Sequence, residues 1–404
     1  MIAAMSKITL KSYILYSTIF GIFTEALEIK VGIDLKMMYL IIFVNYAILL
    51  VYNKIVVPRF LGYVVAYLLL SGIVGCLLHT DAPLLALEQV LGISVSILYF
   101  YNFYKYIDID VVGAFMLYVK AAFYLAVIGI IIFGINMLLG NDDYRLQSLM
   151  LEPAHYCGVT LPAFYYLSKN YKENKFWFFC LALSIVLSGS SVGYICVLFS
   201  IIIYNKRIFV FKNILIYATV CLMAVGLYFI SDNVKLRVDD TLKSSESLDV
   251  TGANYSTYAI IANLFVTENV LEHSPIIGNG LGSHQLSSKM YLNDLIGIDT
   301  VTELQDLNSD DAASLTLRIL SDLGILGIGL VILFIYKQYT KDDELYVFSR
   351  AFIIYFFYKL FRDGHYFPPE MYFFVIGYYF LKLKSISKIK QRAPVMQAAI
   401  DGKI

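Results

Sequence analysis

Residues 111–138 read VVGAFMLYVKAAFYLAVIGIIIFGINML, and this stretch decides the fold class. Its only charged residue is Lys120. The stretch is longer than the roughly 20 mostly apolar residues that a helix needs to cross a bilayer. Apolar residues make up 59% of the 404 positions and charged residues 15%, against about a quarter charged in soluble domains. The composition therefore predicts an integral membrane protein built from α-helices.

Comparable apolar runs recur along the chain and predict an all-α, polytopic fold with about twelve transmembrane helices. The runs at 176–188 and 191–205 are short, and the break between them could be a tight hairpin or a re-entrant turn. We expect the chain to be divided into helices one to nine within 1–230, a large extramembrane loop at 231–312, helices ten to twelve within 313–384 and a basic tail at 385–404.

Lysine and arginine predict the orientation, because they stay on the cytoplasmic side in short loops. They recur in every second loop and in the tail, while residues 231–312 carry 13 acidic residues against four basic ones. We therefore predict cytoplasmic N- and C-termini and an extracytoplasmic loop at 231–312. The whole chain is neutral, with 31 basic and 31 acidic residues, so no global positive field indicates nucleic acid as a partner.

Two segments of the large loop have a recognisable local pattern. Residues 258–271 have the apolar spacing of a helix, which could lie at the membrane interface, cap the bundle or pack in a core. Residues 278–284 (GNGLGSH) look like a nucleotide loop but follow no strand. We interpret them as a tight turn in which glycine permits positive φ or close backbone approach.

Four arginines on the predicted outer side are candidate ligands of a diphosphate, because a guanidinium offers forked donors to phosphate oxygens. They are Arg145, Arg237, Arg318 and Arg362. The alternative is that each forms an ordinary salt bridge, for which Arg318 has Asp322 one turn away. A charge inside a span is costly and usually functional, which favours a role for Arg318.

Candidate general bases also lie on this side. Glu152 precedes Pro153 at the predicted start of a helix, where a carboxylate can cap the helix or, with its pKa raised near a low-dielectric interface, accept a proton. His284 and His365 are reserve candidates for the base, although either can be an ordinary loop residue. No acidic pair has a spacing that demands a metal, and the five cysteines show no metal-binding spacing, so we expect no metal and no cofactor.

Four features in this order resemble the O-antigen polymerase and ligase superfamily of bacterial envelopes. They are residues 145–153, the small-residue break at 188–193, the loop opening near Arg237, and residues 275–282 (PIIGNGLG) leading to 315–327. Ligases of this superfamily carry a His-Asn type pair where this chain has Ala313 and Ser314. The Ser-Arg often found after the small-residue turn is also missing, since Ser191 follows Ser190. The resemblance is therefore to the polymerases, of the Wzy type.

This resemblance implies a GT-C-like integral membrane glycosyltransferase in the bacterial cytoplasmic (inner) membrane. Such an enzyme joins oligosaccharide repeat units carried on undecaprenyl diphosphate into O-antigen or a related surface polysaccharide. An acceptor hydroxyl attacks the anomeric carbon with inversion and displaces the lipid diphosphate, so the outer arginines would hold the diphosphate and Glu152 would act as the base. The expected partners are lipid-linked oligosaccharides, membrane lipids and a chain-length regulator.

Other classes of protein share parts of this pattern. A lipid-linked oligosaccharide flippase or transporter also needs cations for a diphosphate, but it should place them along a central cavity rather than near the outer helix ends. A scaffold without chemistry should tolerate alanine at the outer arginines. Within the superfamily, an O-antigen ligase is the alternative to a polymerase.

We predict that polymerisation by the purified protein is independent of metal ions, because arginine would supply the charge stabilisation that a metal supplies elsewhere. Adding EDTA to an assay with lipid-linked repeat units should leave the ladder of products unchanged. Loss of activity in EDTA that returns with Mg²⁺ would contradict this expectation.

Overall fold

The computed structural model describes residues 9–30, 34–78, 82–107, 110–141, 144–204, 232–300, 307–342, 344–366 and 368–400, with isolated helical positions between 214 and 229. Within these ranges the chain forms a bundle of α-helices, one short β-hairpin and a smaller group of helices in the segment 232–300.

The first half of the chain consists of helices joined by short loops. They are α1 (Leu10–Gly21), α2 (Met37–Val51), α3 (Arg59–Leu78), α4 (Ala82–Tyr106), α5 (Val111–Leu138), α6 (Pro153–Lys169), α7 (Lys175–Leu187) and α8 (Ser191–Ile202). Between α1 and α2, strands β1 (Glu28–Lys30) and β2 (Asp34–Lys36) pair antiparallel. Asp110 and Ser190 accept hydrogen bonds from backbone amides in the first turns of α5 and α8, so side-chain caps fix these two starts.

The second half contains six further described helices. They are α9 (Asp232–Ser247), α10 (Tyr255–His273), α11 (His284–Tyr291), α12 (Leu315–Gln338), α13 (Tyr346–Phe361) and α14 (Pro369–Ile400), with a 3₁₀ turn at Leu292–Asp294. Asn254 and Ser314 cap α10 and α12 through their side-chain oxygens. Helix α10 covers the segment 258–271, which confirms that the apolar spacing there is helical.

Four described helices are long and apolar enough to cross a membrane, and they indicate a helical membrane protein. They are Arg59–Leu78, Pro83–Tyr106, Val111–Leu138 and Leu315–Gln338. Helices α7 and α8 have 13 and 12 residues. At about 1.5 Å per residue each is shorter than the roughly 30 Å of hydrocarbon in a bilayer. They meet at a tight turn in which Gly189 has a φ of +56°.

The larger count of about twelve spans stays a prediction. The run expected near 208–230 lies almost wholly outside the described residues. The apolar run at 9–28 predicts a longer helix than the 12 residues of α1, whereas the 15 residues of α2 nearly fill the run at 37–52.

The loops meet in two groups, one at each end of the bundle. At one end, the amide of Ala26 after α1 donates to the carbonyl of Leu149 before α6 at 3.0 Å. The charge pattern predicts that this end faces outward, and we call it the outer end. At the other end, which we call the inner end, Lys384 of α14 pairs with Asp110 before α5.

Aromatic rings fill the core of the bundle around α5. The ring of Phe115 packs edge-on against Phe352 of α13, with centroids 5.4 Å apart. Helices α6 and α13 approach closely at Gly158, where a Cβ would lie 2.2 Å from the ring of Tyr358. This contact lies one to two turns from the outer ends of both helices and holds those ends side by side.

The segment 232–300 has a small hydrophobic core of its own. Helix α10 supplies the buried Tyr258 and Val266, which pack with Leu295. Another face of α10 contacts α12, where the hydroxyl of Thr267 lies 3.4 Å from the carbonyl oxygen of Leu317. Packing in a core and against the bundle therefore explains the apolar pattern of α10.

Helix α12 is broken at Gly324, which has a φ of 63° and a ψ of −163°. The break frees backbone groups that a continuous helix would pair, and these groups must be paired again in an apolar setting. The amides of Asn279 and Gly280 donate to the carbonyls of Ser321 and Asp322 at 2.8 and 2.9 Å. The loop before α11 thus completes the hydrogen bonding of the broken helix.

Glycine makes this contact sterically possible. Gly278, Gly280 and Gly282 have φ values of 65°, 98° and 78°. A Cβ on Gly280 would lie 2.2 Å from the backbone nitrogen of Gly75 in α3. The sequence pattern at 278–284 predicted a tight turn in which glycine permits positive φ or close backbone approach. The structure confirms both.

We predict that Gly324→Ala destabilises the protein by more than about 2 kcal/mol, because alanine is strained at this φ and its Cβ would lie 2.4 Å from the backbone of Ile276. Thermal unfolding in detergent, followed by size-exclusion fluorescence, measures the loss. Gly329→Ala is the matched control in the same helix, since a Cβ there meets no atom within 4 Å. Equal melting temperatures for the two variants would contradict the prediction.

Candidate functional site

Two loops pack against each other at the outer end. They are residues 308–314, before α12, and residues 361–366, after α13. The amide of Asp363 donates to the carbonyl of Ala313 at 3.2 Å. A Cβ on Gly364 would lie 1.6 Å from the carbonyl oxygen of Asp311, so this approach requires glycine. The contact brings the charged side chains of both loops together.

Backbone strain is concentrated where these loops meet. Ala312, Ala313 and Asp363 have φ values of 58°, 55° and 71°, in the left-handed region that disfavours residues with a Cβ. Each such residue costs on the order of 1 kcal/mol or more, and strained residues of this kind tend to cluster at functional sites. The junction of the two loops is therefore the best candidate for a site.

Two aspartates of the junction face cationic or titratable groups. Lys359, one turn back in α13 and 1% exposed, has its Nζ 2.7 Å from Oδ2 of Asp363. The Nε2 of His365 lies 3.5 Å from Oδ2 of Asp311, and 43% of the His365 side chain is exposed. The junction thus holds one buried ion pair and one imidazole that solvent can reach.

The surroundings decide the charges of Asp363 and His365. Burial raises the pKa of Asp363, but the positive charges of Lys359 and His155 outweigh it and hold that pKa below its usual range. Burial lowers the pKa of His365, and so do the positive charges of Lys359 and Arg318. Together these effects outweigh the negative charges of Asp363 and Asp311, which raise it. At neutral pH we therefore expect an ionised Asp363 and a neutral His365 that can accept a proton.

Arg318 lies beneath this junction in the first turns of α12. The residue is 4% exposed, and its Nε is 3.6 Å from Oδ2 of Asp322. Its guanidinium carbon is 4.8 Å from the centre of the Tyr366 ring, a cation–π contact. The Nε–H of Arg318 has no hydrogen-bond acceptor among the described residues. The salt bridge expected as the alternative for Arg318 is therefore present, and the guanidinium keeps a free donor.

His284 belongs to a fully buried network behind Arg318. Asp322 accepts hydrogen bonds from the backbone amides of Gly282 and His284 at 3.0 and 2.9 Å. Burial, followed by the charge of Arg318, lowers the pKa of His284 to about 3. The neutral ring then donates from Nε2 to Oδ1 of Asn263 over 2.8 Å. Since none of His284 is exposed, this candidate base fixes the loop and has no surface for a substrate.

A second charged group adjoins the junction, centred on Glu25 in the loop after α1. Its Oε2 lies 2.8 Å from Nδ1 of His155, and its Oε1 accepts a hydrogen bond from Nζ of Lys36 at 3.1 Å. Burial raises the pKa of Glu25, but the hydrogen bond and charge of His155 and the charge of Lys36 lower it to about 2. Glu25 is therefore ionised, and the β-hairpin brings Lys36 to it.

The two charged groups act on each other. His155 lies in the first turn of α6, the helix that Gly158 holds against α13. The charge of His155 contributes to the lowered pKa of Asp363. Burial lowers the pKa of Lys36, but the charge of Glu25, followed by those of Glu370 and Asp363, raises it. We call the combined set the outer charge cluster, which consists of Glu25, Lys36, His155, Asp311, Arg318, Lys359, Asp363 and His365.

The structure places the remaining predicted arginines differently. Arg145 donates from Nε to the carbonyl of Ser188 at 3.1 Å and from Nη2 to that of Gly189 at 2.6 Å, so it holds the turn between α7 and α8. Arg362 lies in the 361–366 loop, half-buried, and its guanidinium has no hydrogen bond or ion pair within the described part of the chain. The backbone of Arg237 belongs to α9, but its side chain lies outside the described residues.

Glu152 lies at the rim of the outer charge cluster. It occupies the N-cap position of α6 but makes no capping hydrogen bond with its side chain, and it is exposed. Its negative charge acts on the nearby His155, as do those of Asp363 and Glu25. Of the three candidate bases, Glu152 and His365 are thus open to solvent and His284 is not.

Of the eight residues in this cluster, sequence reasoning gave a role only to Arg318 and His365. Glu25 and Lys359 carried a signal, because a charge within or beside an apolar run is costly and usually paired. Lys36 and Asp363 carried little signal, because short polar loops commonly contain such residues. The pairing of Glu25 with His155 joins positions 130 residues apart, which spacing along the chain does not reveal.

Among the described residues, no group of three or more His, Cys, Asp or Glu side chains is arranged to hold a metal ion. No protein-family model matches the chain, and no curated protein sequence matches it significantly. The outer charge cluster is therefore the main guide to function.

We predict that Lys359→Met lowers stability by about 3 kcal/mol, because it leaves the buried Asp363 carboxylate without its closest cation. The double variant Lys359→Met/Asp363→Asn should recover most of this loss, since it removes both charges together. Melting temperatures in detergent compare the two proteins. Equal losses in the single and double variants would show that the ion pair is not the cause.

Proposed function

We propose that this protein is a membrane glycosyltransferase that polymerises oligosaccharide repeat units carried on undecaprenyl diphosphate, of the Wzy type that its sequence features resemble. It acts at the outer face of a bacterial inner membrane, in a GT-C-like bundle of about twelve spans. The observation that carries the proposal is the outer charge cluster, because it gathers guanidinium, ammonium, imidazole and carboxylate groups at one end of a helical membrane bundle.

Two arginines are suited to the diphosphate. Arg362 is half-buried with an uncommitted guanidinium, so it can form forked hydrogen bonds to phosphate oxygens. Arg318 supplies positive charge from beneath Tyr366, where low dielectric extends the reach of a charge. Arg237 keeps its role as a proposed third ligand, whereas Arg145 supports the turn at 188–190.

We assign the base to His365. It is partly exposed, its Nε2 faces Asp311, and its lowered pKa leaves it neutral at physiological pH, as a general base must be. The acceptor hydroxyl oxygen forms a bond to the anomeric carbon while the bond from that carbon to the diphosphate oxygen breaks. His365 takes the hydroxyl proton, and the diphosphate leaves with the bonding electrons as an anion that the arginines stabilise. Glu152, exposed at the rim, is the second candidate for the base.

The residues at 313 and 314 favour a polymerase over a ligase. Ligases of the superfamily that this chain resembles have a His-Asn type pair where this chain has Ala313 and Ser314. Ala313 has no functional group. The Ser314 hydroxyl caps α12 and donates to the carbonyl of Leu360 at 2.9 Å. An imidazole reaches this loop from the other one, since Nε2 of His365 lies 3.5 Å from Oδ2 of Asp311. The catalytic histidine of a ligase therefore has no counterpart at its own position.

Deleting the gene in its host and complementing with single variants tests the proposal, with the surface glycan examined by gel. We expect His365→Gln to reduce the long-chain ladder at least about 100-fold, the range of general base catalysis, and Arg362→Ala to reduce it about 10-fold or more. Arg318→Lys keeps the charge but loses the forked donors, and it should also shorten the ladder. Lys289→Ala removes an exposed cation of α11 outside the cluster and should give a normal ladder.

Protein levels in the membrane fraction separate loss of activity from loss of folding. Single repeat units on the cell surface without a ladder, at normal protein levels, support the polymerase. Lipid-linked polymer that accumulates unattached would identify a ligase, and repeat units trapped on the cytoplasmic side would identify a flippase. A normal ladder in His365→Gln would remove His365 from the mechanism.

A further inference from the structure

A cavity of about 650 Å³ opens at the inner end, away from the outer charge cluster. It lies between the last turn of α12, the 339–345 connection and the middle of α14. Its lining includes three lysines (Lys337, Lys341 and Lys382), two acidic residues (Asp342 and Glu344) and the hydroxyl residues Thr340 and Ser385. Neither the proposed catalysis nor the packing of the core uses this cavity.

The charges around the cavity leave an excess of positive charge. Lys337 and Lys341 are exposed and form no ion pair with any carboxylate that the structure describes. Lys382 donates from Nζ to the carbonyl of Tyr339 at 2.9 Å, which holds its ammonium at the wall. Of the two carboxylates in the lining, that of Glu344 is paired with Lys388, and that of Asp342 accepts a hydrogen bond from the backbone amide of Glu344. The lining thus carries three cations against two carboxylates, and an anion entering the cavity would meet Lys337 and Lys341 without breaking an ion pair that the structure describes.

The floor of the cavity is polar and its rim is apolar. Thr340 and Ser385 are buried and joined by a hydrogen bond of 2.8 Å from the Thr340 hydroxyl to Ser385 Oγ. At the rim, Tyr336 and Ile389 are 79% and 61% exposed. This arrangement suits a ligand with a charged head and an apolar body.

The position of the cavity agrees with such a ligand. It begins where α12, one of the helices able to cross a membrane, ends at Gln338. That depth corresponds to the headgroup layer, where tyrosine and lysine are usual and where the cytoplasmic leaflet is rich in anionic lipids. An anionic lipid headgroup can therefore reach the lysines of this cavity.

We propose that this cavity binds a phosphate ester anion, with Lys337, Lys341 and Lys382 as its cationic ligands, and that the anion is the headgroup of an anionic phospholipid. The inference is independent of the proposed polymerase, because it concerns the opposite end of the bundle. Binding of this kind pins the end of α12 to α14 and stabilises the folded protein by mass action.

Thermal unfolding of the full-length protein in detergent tests this site. Phosphatidylglycerol should raise the melting temperature by several degrees more than phosphatidylcholine at the same concentration. Lys337→Gln/Lys341→Gln should lose at least half of this gain, because it removes two ligands while keeping side-chain length. Lys172→Gln/Lys175→Gln removes two exposed lysines predicted on the same face outside the cavity, and it should keep the gain.

Inorganic phosphate and glycerol 3-phosphate form a second arm of the experiment. A gain with phosphatidylglycerol alone that depends on Lys337 and Lys341 supports a lipid headgroup. A gain with the soluble phosphates that depends on the same lysines supports the phosphate site but assigns it to a soluble ligand. No gain with any of them, or a gain that both double variants keep, overturns the proposal.

Discussion

A helix that breaks within an apolar bundle must pair its freed backbone groups, and in this protein the loop at 275–282 does so. The amides of Asn279 and Gly280 donate hydrogen bonds to the carbonyls that the break at Gly324 leaves unpaired. Glycine at position 280 lets the loop lie against α3. The amide of Gly282 in this loop and that of His284 just after it donate to the Asp322 carboxylate, which lies beside Arg318. The position of the buried guanidinium therefore depends on a set of main-chain hydrogen bonds.

The outer charge cluster depends on a second constraint, which is the balance between burial and charge pairing. Lys359 and Glu25 are too buried to be charged alone, and each has an oppositely charged partner within about 3 Å. Asp363 joins the two groups because it faces Lys359 and responds to His155. The cluster is consequently an electrostatic unit in which changing one charge alters the pKa of the others.

The sequence indicated the class of fold well, because long apolar runs leave few alternatives to membrane helices. It also indicated the glycine turn at 278–282 and the helix at 258–271, since both patterns are local. It did not indicate how long each helix is, as the 12 residues of α1 against a much longer apolar run show. Helix ends depend on caps and on packing with distant segments.

The candidate site was only partly accessible to sequence reasoning for the same reason. Arg318 and His365 were recognised by their chemistry, and the Arg318–Asp322 pair by its spacing of one helical turn. The contact of Glu25 with His155 and the hydrogen bond between Asp363 and Ala313 join distant parts of the chain. The burial of His284, which separates it from the reachable bases, also follows only from tertiary packing.

The separate small core of the segment 232–300 has an evolutionary consequence. Tyr258, Val266 and Leu295 pack with one another rather than with the bundle core, so surface residues of this segment can vary without disturbing the membrane helices. Mutation can then change the surface of this segment while the bundle keeps its packing. Such a division allows related chains to differ at this surface while they keep the same bundle of helices.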